Sequence, residues 1–159
     1  MAAKERGAGE KYLLMVLVLV GFLWLRSSWG KIAGGTFVSG LAKTLTNFAS
    51  KNPYPWFKDF LETVAIPNSQ TFGLLVLVGE MTAAMLIFVM SLYLLAGQKT
   101  SKLGAFLLPA GLLIAAALNL TFWLASGWMS ASGDSLNLLM LGVETVGLVW
   151  ATKGLLQNR

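Results

Sequence analysis

Residues 72–96 read FGLLVLVGEMTAAMLIFVMSLYLLA, and the only charge in the run is Glu80. As an α-helix rising about 1.5 Å per residue, the run is long enough to cross a hydrocarbon core of about 30 Å. An acid inside such a helix costs about 2.5–3.5 kcal/mol on insertion scales, so its presence marks a position with a job. The stretch therefore predicts a membrane helix that carries a functional carboxyl group.

Working outward, three more segments have the same character. The first starts near Tyr12, is apolar to Leu25, and continues through Arg26-Ser27-Ser28-Trp29 to about Ala33. The third spans about Leu103 to Leu124, with Pro109 in its first turns and Asn119 late. The fourth spans about Leu136 to Leu156 and contains Glu144. The expected fold is an all-α membrane protein, one four-transmembrane-helix bundle over residues 1–159. A signal peptide is the rival reading of the first segment, because Lys4, Arg6 and Lys11 precede its apolar run. The poor small-residue cleavage pattern and the immediate Arg26 favour a retained helix.

Composition agrees with a membrane class. Of 159 residues, 56% are hydrophobic and 12% charged, against about 25% charged in soluble domains. The net charge is +5, but the cations sit near the ends of the apolar runs, which reads as topology rather than nucleic-acid binding. Lys4, Arg6, Lys11, Lys99, Lys102, Lys153 and Arg159 flank one side. Lys43, Lys51 and Lys58 on the other side are offset by Asp59, Glu62 and Asp134. That asymmetry predicts a multi-pass protein of a prokaryotic cell membrane with both termini in the cytoplasm. The chain has no Cys and no His. Disulfides, thiol chemistry, imidazole acid–base catalysis and haem ligation by these residues are excluded. No metal or haem is expected on this chain.

The connector at about 34–71 is unusually patterned. Phe37, Leu41, Leu45 and Phe48 recur at helical spacing, with Lys43, Thr44, Thr46 and Asn47 between them. After Asn52-Pro53, Pro55 suits a helix start. Trp56, Phe57, Phe60, Leu61 and Val64 then form an apolar face opposite Lys58, Asp59 and Glu62. Two amphipathic helices along the outer interface are expected, either anchoring a loop or roofing a site.

Three ionisable residues lie within the spans: Arg26, Glu80 and Glu144. Glu80 lies eight residues past Phe72 and Glu144 eight past Leu136, which puts each about 12 Å below the outer surface. Arg26 lies about 21 Å along the helix from Tyr12, again toward the outer side. Asn119 and Asn137 belong to the same half of the bundle. These groups predict one outward polar pocket under the connector, with Arg26 paired to Glu80 or Glu144. One cation against two carboxylates leaves one acid to bind a proton. Arg26 and Lys31 are candidates to attract an anion. Trp29 and Trp56 are further candidate lining residues beside Asn119 and Asn137, and Lys31 alternatively snorkels to the interface. An interhelical ion pair that only fixes packing is the competing account of the charged residues.

The segments LRSSWGKIAGGTFVSGLAKTL at 25–45, NPYPWFKDFLE at 52–62 and VGEMTAAMLI at 78–87 resemble the DoxD/DoxX family of small four-helix membrane proteins. The likeness is to its DoxD-like members, membrane subunits of thiosulfate:quinone oxidoreductases, and covers about residues 20–100. Gly79-Glu80 resembles a pair found more broadly among DoxX-like proteins. The resemblance implies electron transfer from thiosulfate to a quinone as substrate, with tetrathionate as product, and a DoxA-like partner subunit. On this reading Arg26 and Lys31 would bind the dianion, and Glu80 or Glu144 would supply protons, making Arg26, Glu80 and Glu144 the candidate catalytic set. The alternative is a non-catalytic accessory subunit of a terminal oxidase or quinol-oxidising complex. A transporter fits less well, since polar groups occupy one half only. Expected partners are the lipid bilayer and a DoxA-like or respiratory oxidase subunit. Further copies of the chain are compatible with this reading, and nucleic acid is not expected.

Overall fold

In a hydrocarbon solvent every backbone N–H and C=O must be paired within its own segment, so spanning apolar runs become helices. The computed structural model describes residues 7–101 and 103–157, with 154–157 as backbone, and among them every regular element is helical. Lys4, Arg6, Lys102 and Arg159 of the cationic flanks lie outside the described residues. Helix α1 runs Ala8–Gly34, α2 Phe37–Ser50, α3 Pro55–Phe60, α4 Ser69–Leu95, α5 Leu107–Ser126 and α6 Ala131–Gln157. Four of them, α1, α4, α5 and α6, are long and apolar enough to cross a membrane.

Local chemistry sets the boundaries. Gly35 adopts the left-handed conformation (φ 67°) and returns its N–H to Ile32 O, which closes α1. Gly97, at φ 77°, follows the end of α4. Pro55 occupies the first position of α3, where a missing N–H costs nothing. Pro109 stands in the first turn of α5 for the same reason. α6 begins five residues before the expected Leu136, because the short turn Gly127–Met129 leads directly into it.

The spanning helices pack in the order α1 on α4, α4 on α5 and α5 on α6, while α6 meets α1 over a short length. Lipid offers no hydrophobic drive between helices, so close backbone approach at small residues has to hold them together. A Cβ added to Gly21 would lie 2.6 Å from the Phe88 backbone nitrogen, and one on Gly111 would lie 2.7 Å from Leu86 Cβ. One on Gly147 would lie 2.9 Å from Leu17 Cδ2. Gly21 opposite Phe88 and Ser28 beside Met81 set α1 and α4 antiparallel. Leu17, Val20, Trp24, Ala83, Ala84, Ile87, Leu108, Leu112 and Ala115 form the main core.

The connector builds a second core over the far ends of α4 and α5. Leu41, Leu45 and Ala49 of α2 pack with Phe57, Leu61, Ala65 and Ala125. At Gly73 the crossing of α2 over α4 is tight, 3.2 Å from a built Cβ to Val38 Cα. Asn52 Nδ2 donates to Leu124 O at 3.0 Å, and Asn52 Oδ1 accepts from the Tyr54 N–H at 3.0 Å. Tyr54 also stacks 5.7 Å from the Trp123 ring. The aromatic connector thus covers the ends of α4 and α5. Its second half departs from the expected face. Leu61–Ala65 is a π-helical turn, closed by the Ile66 N–H on Leu61 O at 2.8 Å. Phe57, Leu61 and Ala65 face inward; the wider turn puts Ala65 rather than Val64 on that side, and Trp56, ahead of the turn, is exposed. Asn68 does not cap α4 with its side chain; its Nδ2 donates back to Val64 O.

Candidate functional site

The inward face of α1 is a stripe at alternating spacings of three and four: Leu14, Leu17, Gly21, Trp24 and Ser28 are buried, and Lys31 is half-buried. Residues two apart on a helix diverge by about 200°, so Arg26 points away from Trp24 and Ser28. Arg26 is exposed and makes no ion pair among the described residues. The expected pairing of Arg26 with Glu80 or Glu144 is therefore corrected, and helical phase is the reason.

Lys31 takes that place. Its ammonium pairs with Glu80 Oε1 and donates to Ser27 Oγ at 3.1 Å. It also lies 5.3 Å from the Phe37 ring centroid and 5.6 Å from that of Phe122, within cation–π range. Carboxylate, hydroxyl and two aromatic faces thus surround the cation, one face coming from the connector. The Lys31 side chain keeps 25% exposure, while Glu80 is fully buried. Glu80 Oε2 is buried without a hydrogen-bond partner among the described residues. Such an atom in a native fold calls for a polar partner.

Glu144 has a different environment. Trp24 Nε1 donates to its Oε1 at 2.7 Å. Asn119 Nδ2 donates to Oε1 at 2.9 Å and to Oε2 at 2.8 Å. Glu144 is fully buried, and no ion pair reaches it among the described residues. Neutral donors from α1 and α5 thus hold a carboxyl group of α6. Phe122 stands between the two acid sites: its ring is 6.2 Å from that of Trp24 and 5.6 Å from the Lys31 ammonium.

The two acids occupy one layer. Ser28 touches Met81, next to Glu80, and Gly79 faces Leu118, next to Asn119. Below this layer Leu17, Leu112 and Gly147 close against one another. Ser91, farther toward the chain termini, is buried, and its hydroxyl has no hydrogen-bond partner among the described residues.

Of the candidate residues, Glu80, Lys31, Glu144 and Asn119 are brought into this layer. Trp29 is 64% exposed and Trp56 63% exposed, so neither lines it. Asn137 is half-buried on α6 and has no side-chain hydrogen bond among the described residues. Trp24, Phe37 and Phe122 are members that reading the sequence missed. For Trp24 the signal was the three–four stripe through Lys31; for Phe37 and Phe122 no local signal exists. Among the described residues no three carboxylates gather around a metal-sized site.

An open apolar groove also runs between α1 and α6, lined by Leu13, Val16, Leu139, Gly142 and Val146 among others. No protein-family model, no curated protein and no solved structure matches the chain.

Proposed function

We propose that the chain is a DoxD/DoxX-like integral membrane subunit of a respiratory oxidoreductase, passing electrons from thiosulfate toward a quinone in the bilayer. The observation that carries this reading is the layer of two buried carboxyl groups, Glu80 and Glu144, confined to the connector-side half of the bundle. Packing alone gives no reason to put two acids, each with its own donor set, at one depth. Two thiosulfate ions that lose one electron each join through a new S–S bond as tetrathionate. The quinone takes those two electrons and two protons. Without Cys or His, the carboxyl groups are the residues fitted to exchange protons inside the membrane. Lys31 is engaged by Glu80, so attraction of the dianion falls chiefly to exposed Arg26. A DoxA-like subunit is the natural partner for the sulfur chemistry.

On this reading the connector helices α2 and α3 lie along the outer interface. Exposed Trp56 fits the headgroup level, and Lys43 and Lys51 face outward. Lys11, Lys99 and Lys153 at the opposite end favour cytoplasmic termini in a prokaryotic membrane.

The test is thiosulfate-dependent reduction of a soluble quinone analogue by membranes carrying the chain with its partner. Glu144→Gln is expected to lower turnover about 100-fold or more, the usual scale for a lost acid–base group. Arg26→Ala is expected to raise the KM for thiosulfate. Turnover that does not depend on the chain overturns the catalytic reading. Co-purification with haem-bearing subunits would then mark an accessory subunit.

A further inference from the structure

We propose that Glu144 and Asn119 form a proton-binding site with two hydrogen-bonded states, in which the Asn119 side-chain amide turns over when Glu144 takes up a proton. The proposal deepens the reading above, on which it rests for its use in quinone reduction, by naming the group that exchanges the proton.

Among the described residues the side-chain hydrogen bonds to Glu144 all come from donors: Trp24 Nε1–H on Oε1 and the Asn119 NH₂ on both oxygens. An ionised carboxylate accepts only, so this set suits the charged form. A protonated carboxyl group instead presents one O–H that needs an acceptor, and leaving it buried without one costs about 1–3 kcal/mol. The other end of the same amide is able to accept. The NH₂ and C=O ends of an Asn side chain are nearly equal in size, so a half-turn of the amide exchanges donor for acceptor. After it, Glu144 Oε2–H donates to Asn119 Oδ1 while Trp24 still donates to Oε1. Glu144 takes the proton from hydronium in the surrounding water, the two Asn119 N–H bonds to it are given up, and no covalent bond besides the new O–H forms. A Lys or Arg in the position of Asn119 could not follow the change, since neither can accept.

The surroundings isolate this pair. Helix α5 has no titratable residue between Leu107 and Ser126. On α1, Trp24 faces Glu144, Arg26 faces away, and Lys31 is engaged by Glu80 of α4 beyond Phe122. On α6, no other titratable residue stands between Asp134 and Lys153. Asp134 accepts from Trp123 Nε1 at 2.7 Å. Leu17, Leu112 and Gly147 close the terminal side with apolar contact.

The experiment is an infrared pH titration of the full chain in lipid nanodiscs, without quinone or thiosulfate, using protein with isotope-labelled Asn side chains. Glu144→Gln identifies the Glu144 carboxyl band. The expected result is a protonated-carboxyl band, absent in Glu144→Gln, that titrates with the same midpoint as a shift of the labelled amide band. Asn119→Leu should move the carboxyl midpoint by a pH unit or more, and Asn119→Gln should restore most of it. A carboxyl band that titrates while the amide band stays fixed overturns the proposal. So does the absence of any Glu144 titration over the pH range in which the protein stays folded. Should Asn119→Leu not fold, the labelled wild-type protein decides the matter. Since the titration needs no electron donor, its failure is distinguishable from failure of the turnover assay.

Discussion

The indole N–H of Trp24 donates to Oε1 of Glu144 across 2.7 Å, joining the first spanning helix to the last with no ion pair to that carboxyl group among the described residues. This bond bridges two neighbouring helices, α1 and α6, that otherwise meet over a short length. Trp24→Phe keeps the ring and removes the donor. It is expected to destabilise the bundle by about 1–3 kcal/mol, the scale for a buried acceptor left short of a partner. Unfolding in mixed detergent followed by circular dichroism would measure it. A midpoint equal to wild type would mean that the bond contributes no stability.

Lys31 and Glu80 should show the asymmetry of buried ion pairs. Lys31→Met strands a wholly buried carboxylate and is expected to cost about 3–5 kcal/mol. The double change Lys31→Met with Glu80→Leu should recover most of that loss, because neither charge is then left alone. Arg26→Ala in the same assay should leave the midpoint unchanged. A double variant less stable than Lys31→Met would contradict the geometry.

The glycines of α1 divide sharply. An added Cβ at Gly21 meets the Phe88 backbone at 2.6 Å, while Gly30 has open space around it. Gly21→Ala should cost about 1–3 kcal/mol through forced separation of α1 and α4. Gly30→Ala should be neutral or stabilising by about 0.5–1 kcal/mol, as expected where helix propensity alone acts. Equal effects at the two positions would refute the crossing.

Asn52 ties the connector to the end of α5 through Leu124 O and Ala125 O. Asn52→Leu removes these bonds and the acceptor for the Tyr54 N–H. Limited proteolysis within residues 51–56 should accelerate about tenfold, corresponding to about 1.4 kcal/mol of lost local protection. Cleavage at the wild-type rate would show that apolar packing of α2 and α3 holds the connector unaided.

Some of the site was legible before any coordinates and some was not. Glu80 and Glu144 stood out because an acid within a long apolar run has few explanations. Asn119 was legible for the same reason. The choice of Arg26 over Lys31 failed on helical phase. The stripe Leu14, Leu17, Gly21, Trp24, Ser28, Lys31 excludes Arg26, but it is hard to see among residues that are apolar on every side. Phe122 carried no local mark, since its role comes from meeting Lys31 across α2, α3 and α4, and Phe37 comes near Lys31 only because the chain turns at Gly35. The π-helical turn at Leu61–Ala65 likewise moved to Ala65 a place on the inner face that regular periodicity had assigned to Val64.

Hydropathy and length already dictate four spanning helices, because a bilayer admits few other solutions for uncharged runs of this size. Glycine and proline punctuation adds where several of them stop and start. Which face of each helix turns inward was left to the packed bundle. In lipid both the buried and the outer face of a helix are apolar, so polarity along the chain carries little information about orientation. Close approaches at Gly21, Gly111 and Gly147 set the rotation of each helix. That rotation gives Glu80 a lysine as its neighbour and Glu144 an indole and an amide.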